Sequence, residues 1–335
     1  MATIPVPDWT TVNFVSPYIL NEDGREVMLG DTASGPALIG IDWGTTNRRG
    51  YLLNRNGQIL ESRQDGLGLS KVAGGDFGGA LQKLIGDWLS RCEPLPVLMS
   101  GMVGASTGWL DAGYCSVPVG LEELSEKLAS VVASENVWIV PGVRTIDKAK
   151  MPDVIRGEEV QSLSIGGDRH DAVVIIPGTH CKWIRIKGKK ITSFTTFLTG
   201  DLYGAILNHT VISMLRTRTE IEGHEAFCRG VEIGYSEHAN LMNVLFGART
   251  NVLFKTLMPG EVSHYTSGLL IGAEIASGIS MIGSAQKSMV LLGSDALIQR
   301  YELAFSTCGI NVDIIGLEAV GSAYIEIARS AGLVR

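Results

Sequence analysis

Two stretches of this 335-residue chain repeat one pattern, and that pattern restricts the folds open to it. Residues 38–43 form an apolar run that ends in an acid, Asp42, followed by Trp43. Gly44-Thr45-Thr46-Asn47 follows, and residues 48–53 re-enter an apolar run. The stretch reads as two strands of a hairpin around a Gly-Thr turn. Such a turn offers what a phosphate needs. Gly44 lets backbone approach a bulky anion, and Thr45 and Thr46 add hydroxyls to the turn's N–H groups. Asp42 suits Mg²⁺, which takes carboxylate oxygens and keeps several waters. Taken alone, an ordinary hairpin whose threonines satisfy its own backbone explains the stretch equally well. The pattern returns, however, at residues 172–177, Gly178-Thr179-His180 and residues 182–186.

Each hairpin is followed by a third strand, at 58–62 and 191–194, and then by helices alternating with strands. In the first copy Leu81, Leu84, Ile85, Trp88 and Leu89 recur at helical spacing. A strand at 96–100, a helix at 121–133 and a strand at 137–140 follow. The second copy continues with a helix at 201–216 and helical segments at 226–245 and 269–281. A strand at 289–292, a helix at 295–308, a strand at 312–315 and a helix at 318–329 complete it. The duplication predicts two α/β domains with a cleft between them, and it favours the phosphate reading of both turns. The expected division is an extension at 1–36, a first domain at 37–195 and a second at 196–335. The hairpin at 172–187 is open to assignment to the second domain.

Composition narrows the function. Charged residues are 19% and hydrophobic ones 45%, which suits a globular protein with a sizeable core. No apolar run reaches the roughly 18–20 residues of a membrane span, and the start lacks a secretory signal pattern. A net charge of −7 with scattered basic residues argues against nucleic acid as the main partner. Five widely spaced cysteines without a Cys-x-x-Cys pair fit reduced thiols in a cytoplasmic protein and give no zinc signature.

Facing Gly-Thr hairpins in duplicated domains resemble the superfamily of sugar kinases, actin and chaperone ATPases, whose domains are ribonuclease-H-like. More narrowly, the chain resembles the 2-dehydro-3-deoxygalactonokinase family. The matching residues are Ile-Asp-Trp-Gly-Thr-Thr-Asn at 41–47 with Arg49, Ser-Gly-Met-Val-Gly at 100–104, and Gly108-Trp109. Arg-Gly-Glu-Glu at 156–159, Pro-Gly-Thr-His-x-Lys-Trp at 177–183 and Gly-Leu-Leu-Ile-Gly-Ala-Glu at 268–274 complete the set. Two positions depart from the family pattern: Asp201 where glutamate is usual, and Arg48 where an apolar residue is common. The resemblance implies an ATP- and Mg²⁺-dependent kinase that phosphorylates the 6-hydroxyl of 2-dehydro-3-deoxy-D-galactonate in galactonate breakdown, with a homodimer as a family-level expectation. The alternatives are a kinase for another 2-keto-3-deoxy sugar acid, and an actin-like or chaperone-like nucleotide-switch ATPase. The latter would need a long peptide-binding region or large interaction insertions, which the sequence does not display.

A kinase needs a phosphate cradle, a metal, a base and an acceptor pocket. The cradle is expected from Gly44, Thr45 and Thr46 facing Gly178, Thr179 and His180, and the metal from Asp42. Superfamily sugar kinases carry a catalytic acid in a Gly-Asp-Gln stretch that opens a helix ahead of the second hairpin. Gly157-Glu158-Glu159 occupies that place, so Glu158 is the expected base. Two glutamates at a helix start also simply favour its positive end. Asp201 is a second candidate, as base or metal ligand, and its simpler reading is a helix N-cap. Arg156 and Arg49 suit a sugar-acid carboxylate, because a planar guanidinium bonds both oxygens; Arg49 also suits a structural ion pair that braces Asp42 or Glu158. Ser100, Gly101 and Met102 follow a strand end, where α/β sheets gather ligand contacts, and Trp109 is a candidate to close the sugar face. Gly293, Ser294 and Leu297 resemble the superfamily's adenosine motif. Gly321 and Ala323 look like close helix packing.

Overall fold

The computed structural model describes residues 34–335 except 92–93, 133, 147–150, 166–170, 216–221, 283–287 and 294, together with two short strands nearer the start. Those two, β1 (Tyr18–Leu20) and β2 (Glu26–Met28), pair antiparallel. The remainder of the expected extension at 1–36 lies largely outside the described residues.

In chain order there follow β3 (Pro36–Trp43), β4 (Arg48–Asn54), β5 (Ile59–Asp65), α1 (Phe77–Arg91), β6 (Val97–Ser100) and β7 (Tyr114–Ser116). Then come α2 (Leu121–Ser125), β8 (Ala129–Ser130), β9 (Val137–Ile139), β10 (Gly142–Ile146), β11 (Pro152–Ile155) and α3 (Glu158–Leu163). The second half holds β12 (Asp171–Ile176), β13 (Cys181–Lys187), β14 (Lys190–Phe197), α4 (Thr199–His209), α5 (His224–Ser236) and α6 (Leu241–Leu253). It ends with α7 (Val262–Ile282), β15 (Met289–Leu292), α8 (Asp295–Thr307), β16 (Asp313–Ile315) and α9 (Val320–Ser330).

These strands build two like sheets. The first runs β5-β4-β3-β6-β9-β8 and the second β14-β13-β12-β15-β16. In each, a three-strand antiparallel meander is extended by parallel strands after a helical crossover. This is the duplicated α/β architecture expected from the sequence. The first strand of each sheet is apolar along its length because both faces are covered. Ile39, Ile41 and Trp43 pack with Leu81, Leu84, Ile85 and Trp88 of α1, while Leu38, Leu53 and Leu98 share a core with Val174, Ile184 and Ile186 of the second sheet. Val173, Ile175 and Trp183 face the other way, onto residues of α5, α7 and α8.

Several expectations are corrected. By strand pairing, residues 171–197 belong wholly to the second sheet, so a division at 195/196 would cut that sheet. The helix expected over 121–133 stops at Ser125. Ala129–Ser130 instead joins β9, and the Val131 N–H donates to Val137 at 3.0 Å, because an adjacent strand outweighs local helical spacing. The helix expected over 201–216 begins at Thr199 and ends at His209. There the extended Thr210 turns its hydroxyl back onto the Ile206 carbonyl at 2.8 Å. The segment at 226–245 is two helices, α5 and α6, separated by a turn at residues 237–240. A third sheet, β11-β10-β7, was not foreseen.

Candidate active site

Asp42 ends β3, and the turn after it is tight: the Gly44 N–H donates to Asn47 at 2.9 Å. A loop following β5 lies over this turn. The N–H groups of Gly68, Leu69 and Ser70 donate to the carbonyls of Thr46, Gly44 and Thr45 at 2.9, 3.0 and 3.1 Å. Gly68 is required there, since a Cβ would lie 2.3 Å from the Thr46 carbonyl carbon. With those carbonyls occupied, the turn presents donors, and the side chains of Thr45 and Thr46 are exposed. An outward row of N–H and hydroxyl groups suits an anion.

The second turn, Gly178-Thr179-His180, is likewise exposed at its tip. The start of α4 docks on it: the Asp201 N–H donates to Thr179 at 3.0 Å, and a Cβ at Gly200 would lie 2.5 Å from the Gly178 carbonyl. Asp201 is therefore no N-cap, because α4 begins two residues earlier. Its carboxylate, 64% exposed, lies 3.6 Å from His180 Nε2. Asp201 and His180 thus form one small polar group on the second turn.

Glu158 is brought to Asp42 by glycines. Between β11 and α3 the chain turns through Gly157 at φ 106°, a region that L side chains rarely adopt. Gly101, after β6, has φ 91°. The two glycines abut: a Cβ at Gly157 would lie 3.2 Å from Gly101 Cα and 3.7 Å from Asp42 Oδ1. A Cβ at Gly101 would lie 2.8 Å from the Trp43 carbonyl and 3.3 Å from Asp42 Oδ1. Three segments therefore meet backbone to backbone around one carboxylate. Gln161 Nε2 donates to Asp42 Oδ2 at 3.1 Å, and Arg49 Nη1 lies 3.7 Å from the same oxygen. Arg49 thus takes the bracing position. Burial pushes the Asp42 carboxyl up, Arg49 opposes that, and the nearby Glu158 adds to the rise. Glu158 is half-buried, and its Oε2 accepts the Arg156 N–H at 2.9 Å.

The other expected pocket residues divide. Arg156 is buried, with its guanidinium over the Tyr114 ring at 4.3 Å and Nη2 donating to Gly113 at 3.0 Å; its Nε and Nη1 have no partner among the described residues. Met102 opens a short 3-10 turn and is half-buried. Ser100 is corrected: it is 1% exposed and its hydroxyl bonds Tyr324 Oη at 2.7 Å, so it joins the core between the sheets. Trp109 stacks on Phe77 with ring centroids 6.0 Å apart, and Phe77 meets Trp43 edge-on, so its ring is engaged in packing. Gly293, at the end of β15, lies beside Pro177 of the second hairpin, where a Cβ would be 3.7 Å from the Pro177 ring. Leu297 is exposed on the first turn of α8, and Ser294 lies outside the described residues.

One network escaped the sequence reading. Glu274 is the single charged residue in the 21 residues of α7. It is buried and accepts from Trp183 Nε1 at 2.8 Å, Tyr301 Oη at 2.8 Å and the Thr199 hydroxyl. It thereby ties the second hairpin's return strand to the starting end of α4 and to α8. A lone acid in an apolar helix was the available signal, since buried charge is retained only where it is bonded.

Comparison with known proteins decides the family. The family model for 2-keto-3-deoxy-galactonokinase matches residues 42–326. The chain belongs to the 2-keto-3-deoxy-galactonokinase family. The 2-dehydro-3-deoxygalactonokinase of Escherichia coli (strain K12) is 36% identical over 277 residues, which cover 83% of this chain and 92% of that protein. A crystal structure of a Sinorhizobium meliloti protein, provisionally named 2-dehydro-3-deoxygalactonokinase, superposes with a TM-score of 0.76 at 30% identity. It covers 88% of this chain and 98% of its own. Family membership and the fold agree with the kinase reading. Among the described residues, no helix is long and apolar enough to cross a membrane.

Proposed function

We propose that this family member transfers the γ-phosphoryl group of ATP to the 6-hydroxyl of 2-dehydro-3-deoxy-D-galactonate, a step in galactonate breakdown. The observation that supports it most is the meeting of Asp42, Gly101 and the Gly157-Glu158 turn beside the donor-rich turn at 44–46. Glu158 accepts the hydroxyl proton as the acceptor oxygen attacks the γ-phosphorus. The bond to the bridging oxygen breaks, and ADP leaves. Thr45 and Thr46 on one side, and Thr179 and His180 on the other, hold phosphate oxygens. Glycine at 44 and 178 keeps the backbone approachable.

Mg²⁺ fits the first turn. Among the described residues no cluster of three metal-binding side chains exists, but Mg²⁺ bound with phosphates and water asks for only one or two carboxylates. Asp42 keeps Oδ1 free of the Gln161 bond, against glycine backbone that leaves room around it. Bound there, the ion would offset phosphate charge. Arg156, with two unpartnered nitrogens, is the group suited to the acceptor's carboxylate, and the link after β15 is suited to adenosine.

The test is Glu158→Gln. Turnover should fall by at least about 100-fold, the range of general-base catalysis, while ATP affinity measured by calorimetry stays within about threefold. Near-normal turnover would remove Glu158 as the base.

A further inference from the structure

We infer that Glu159, which the steps above leave without a role, is a positioning residue that holds the Gly157-Glu158 turn in its working shape. The inference rests on Glu158 being the base. Glu159 is 0% exposed, which is unusual for a glutamate. Its Oε2 accepts the Gly157 N–H at 2.7 Å, and its Oε1 has no partner among the described residues. A carboxyl buried with only backbone N–H groups for donors, those of Gly157 and of Glu159 itself, is a costly way to fill space, and an apolar side chain would do so better. What the carboxyl does supply is an acceptor for one particular N–H.

That N–H belongs to the residue on which the site's geometry turns. Gly157, at φ 106° and ψ −42°, is half of the glycine contact that brings α3 against Asp42. Its neighbour's N–H, on Arg156, is taken by Glu158 Oε2 at 2.9 Å. Two successive N–H groups are thus gripped by two successive glutamates. The Glu158 grip fixes one of its oxygens and leaves the other for the acceptor; the Glu159 grip fixes the backbone from which Glu158 projects. The charged or titratable groups acting on Glu159 are Glu158 and Arg156 on its own segment, and it acts in turn on Cys115 of β7 and Tyr324 of α9. Arg156 is the one cation among the described residues that acts on it, and Glu159 Oε1 and Arg156 Nε and Nη1 are all without partners there, so an ion pair does not explain its retention.

A residue that serves only the fold and one that positions the base differ in what they move. Three variants separate them: Glu159→Gln, which keeps an amide oxygen for the Gly157 N–H, and Glu159→Met and Glu159→Ala, which do not. Glu159→Met fills the same space without a polar atom and serves if the alanine variant fails to fold. We expect Glu159→Met and Glu159→Ala to lower kcat by about 10- to 100-fold, the cost of misplacing a catalytic group by about 1 Å. KM for ATP and for the sugar acid should each stay within about threefold, and Glu159→Gln should restore kcat to within about fivefold of wild type. Full kcat in Glu159→Met, failure of Glu159→Gln to rescue, or a rise confined to KM would each overturn the inference. Glu158→Gln is measured alongside. If it is inactive while Glu159→Met is fully active, only the positioning role falls. If Glu158→Gln turns over normally, the base reading falls and takes this role with it.

Discussion

Burial pushes the Glu159 carboxyl up to about 8, and repulsion from Glu158 adds to the rise. An acid whose folded pKa lies above its unfolded value keeps a proton in the fold that the unfolded chain gives up. Its stabilisation is complete below the unfolded value of 4.5 and is lost as pH rises toward 8. Glu159→Gln removes that slope. The difference in Tm between variant and wild type should therefore shift in the variant's favour from about pH 5 to about pH 8. A constant difference would contradict a protonated Glu159. At this scale the sequence was readable where a residue's place follows from the local pattern: Asp42 at a strand end, Glu158 opening a helix. It was opaque where the role depends on a distant partner. Arg48, set aside as a departure from the family pattern, is 1% exposed and bidentate to Asp65 at 2.9 and 2.8 Å, with Nη1 on the Ala80 carbonyl and the guanidinium over Trp43. The roles of Gln161 and Ser100 are hidden from the sequence for the same reason, since their partners Asp42 and Tyr324 are 119 and 224 residues away.

Among the elements, the pair α5 and α7 carries Glu274 to the second hairpin, and glycines set its spacing. A Cβ at Gly268 would lie 2.1 Å from the Phe227 carbonyl, and one at Gly272 2.2 Å from the Val231 carbonyl; Gly230 and Gly234 meet α7 backbone as closely in return. Small residues on both helices let the two backbones touch. Gly268→Ala should therefore force the helices apart and lower stability by about 1–3 kcal/mol, as overpacking does. Gly204 in α4 is the control: no described residue beyond its own helix turn lies within 4 Å of its Cβ position, so Gly204→Ala should stabilise by about 0.5–1 kcal/mol. Chemical denaturation measures both, and equal effects would contradict the packing account. The central strands and the hairpins were legible because apolar runs and Gly-Thr turns are local signals. The early end of α2 and the third sheet were not, because strand partners from elsewhere decide them.

Across the whole molecule, the two sheets are joined by exchanged helices. α3 leaves the first half and packs on β12, β13 and β14, while α9 leaves the second sheet and packs on β3 and β4. Gly40 makes room for the Tyr324 ring, and Gly321 approaches the Gly57 carbonyl so closely that a Cβ would lie 2.3 Å from it. The close packing expected at Gly321 is real, though its partner is a hairpin turn. This exchange carries Glu158 to Asp42, so the proposed base and the proposed phosphate turn come together only when both halves fold. Domain closure on substrates would then exclude water and limit wasteful ATP hydrolysis. The most direct measurement is ADP release by the purified protein with Mg-ATP and 2-dehydro-3-deoxygalactonate, its gluconate epimer, or no acceptor. The account predicts release that depends strongly on the galactonate-derived acid. Slow release indifferent to every acceptor would contradict it and indicate a nucleotide switch.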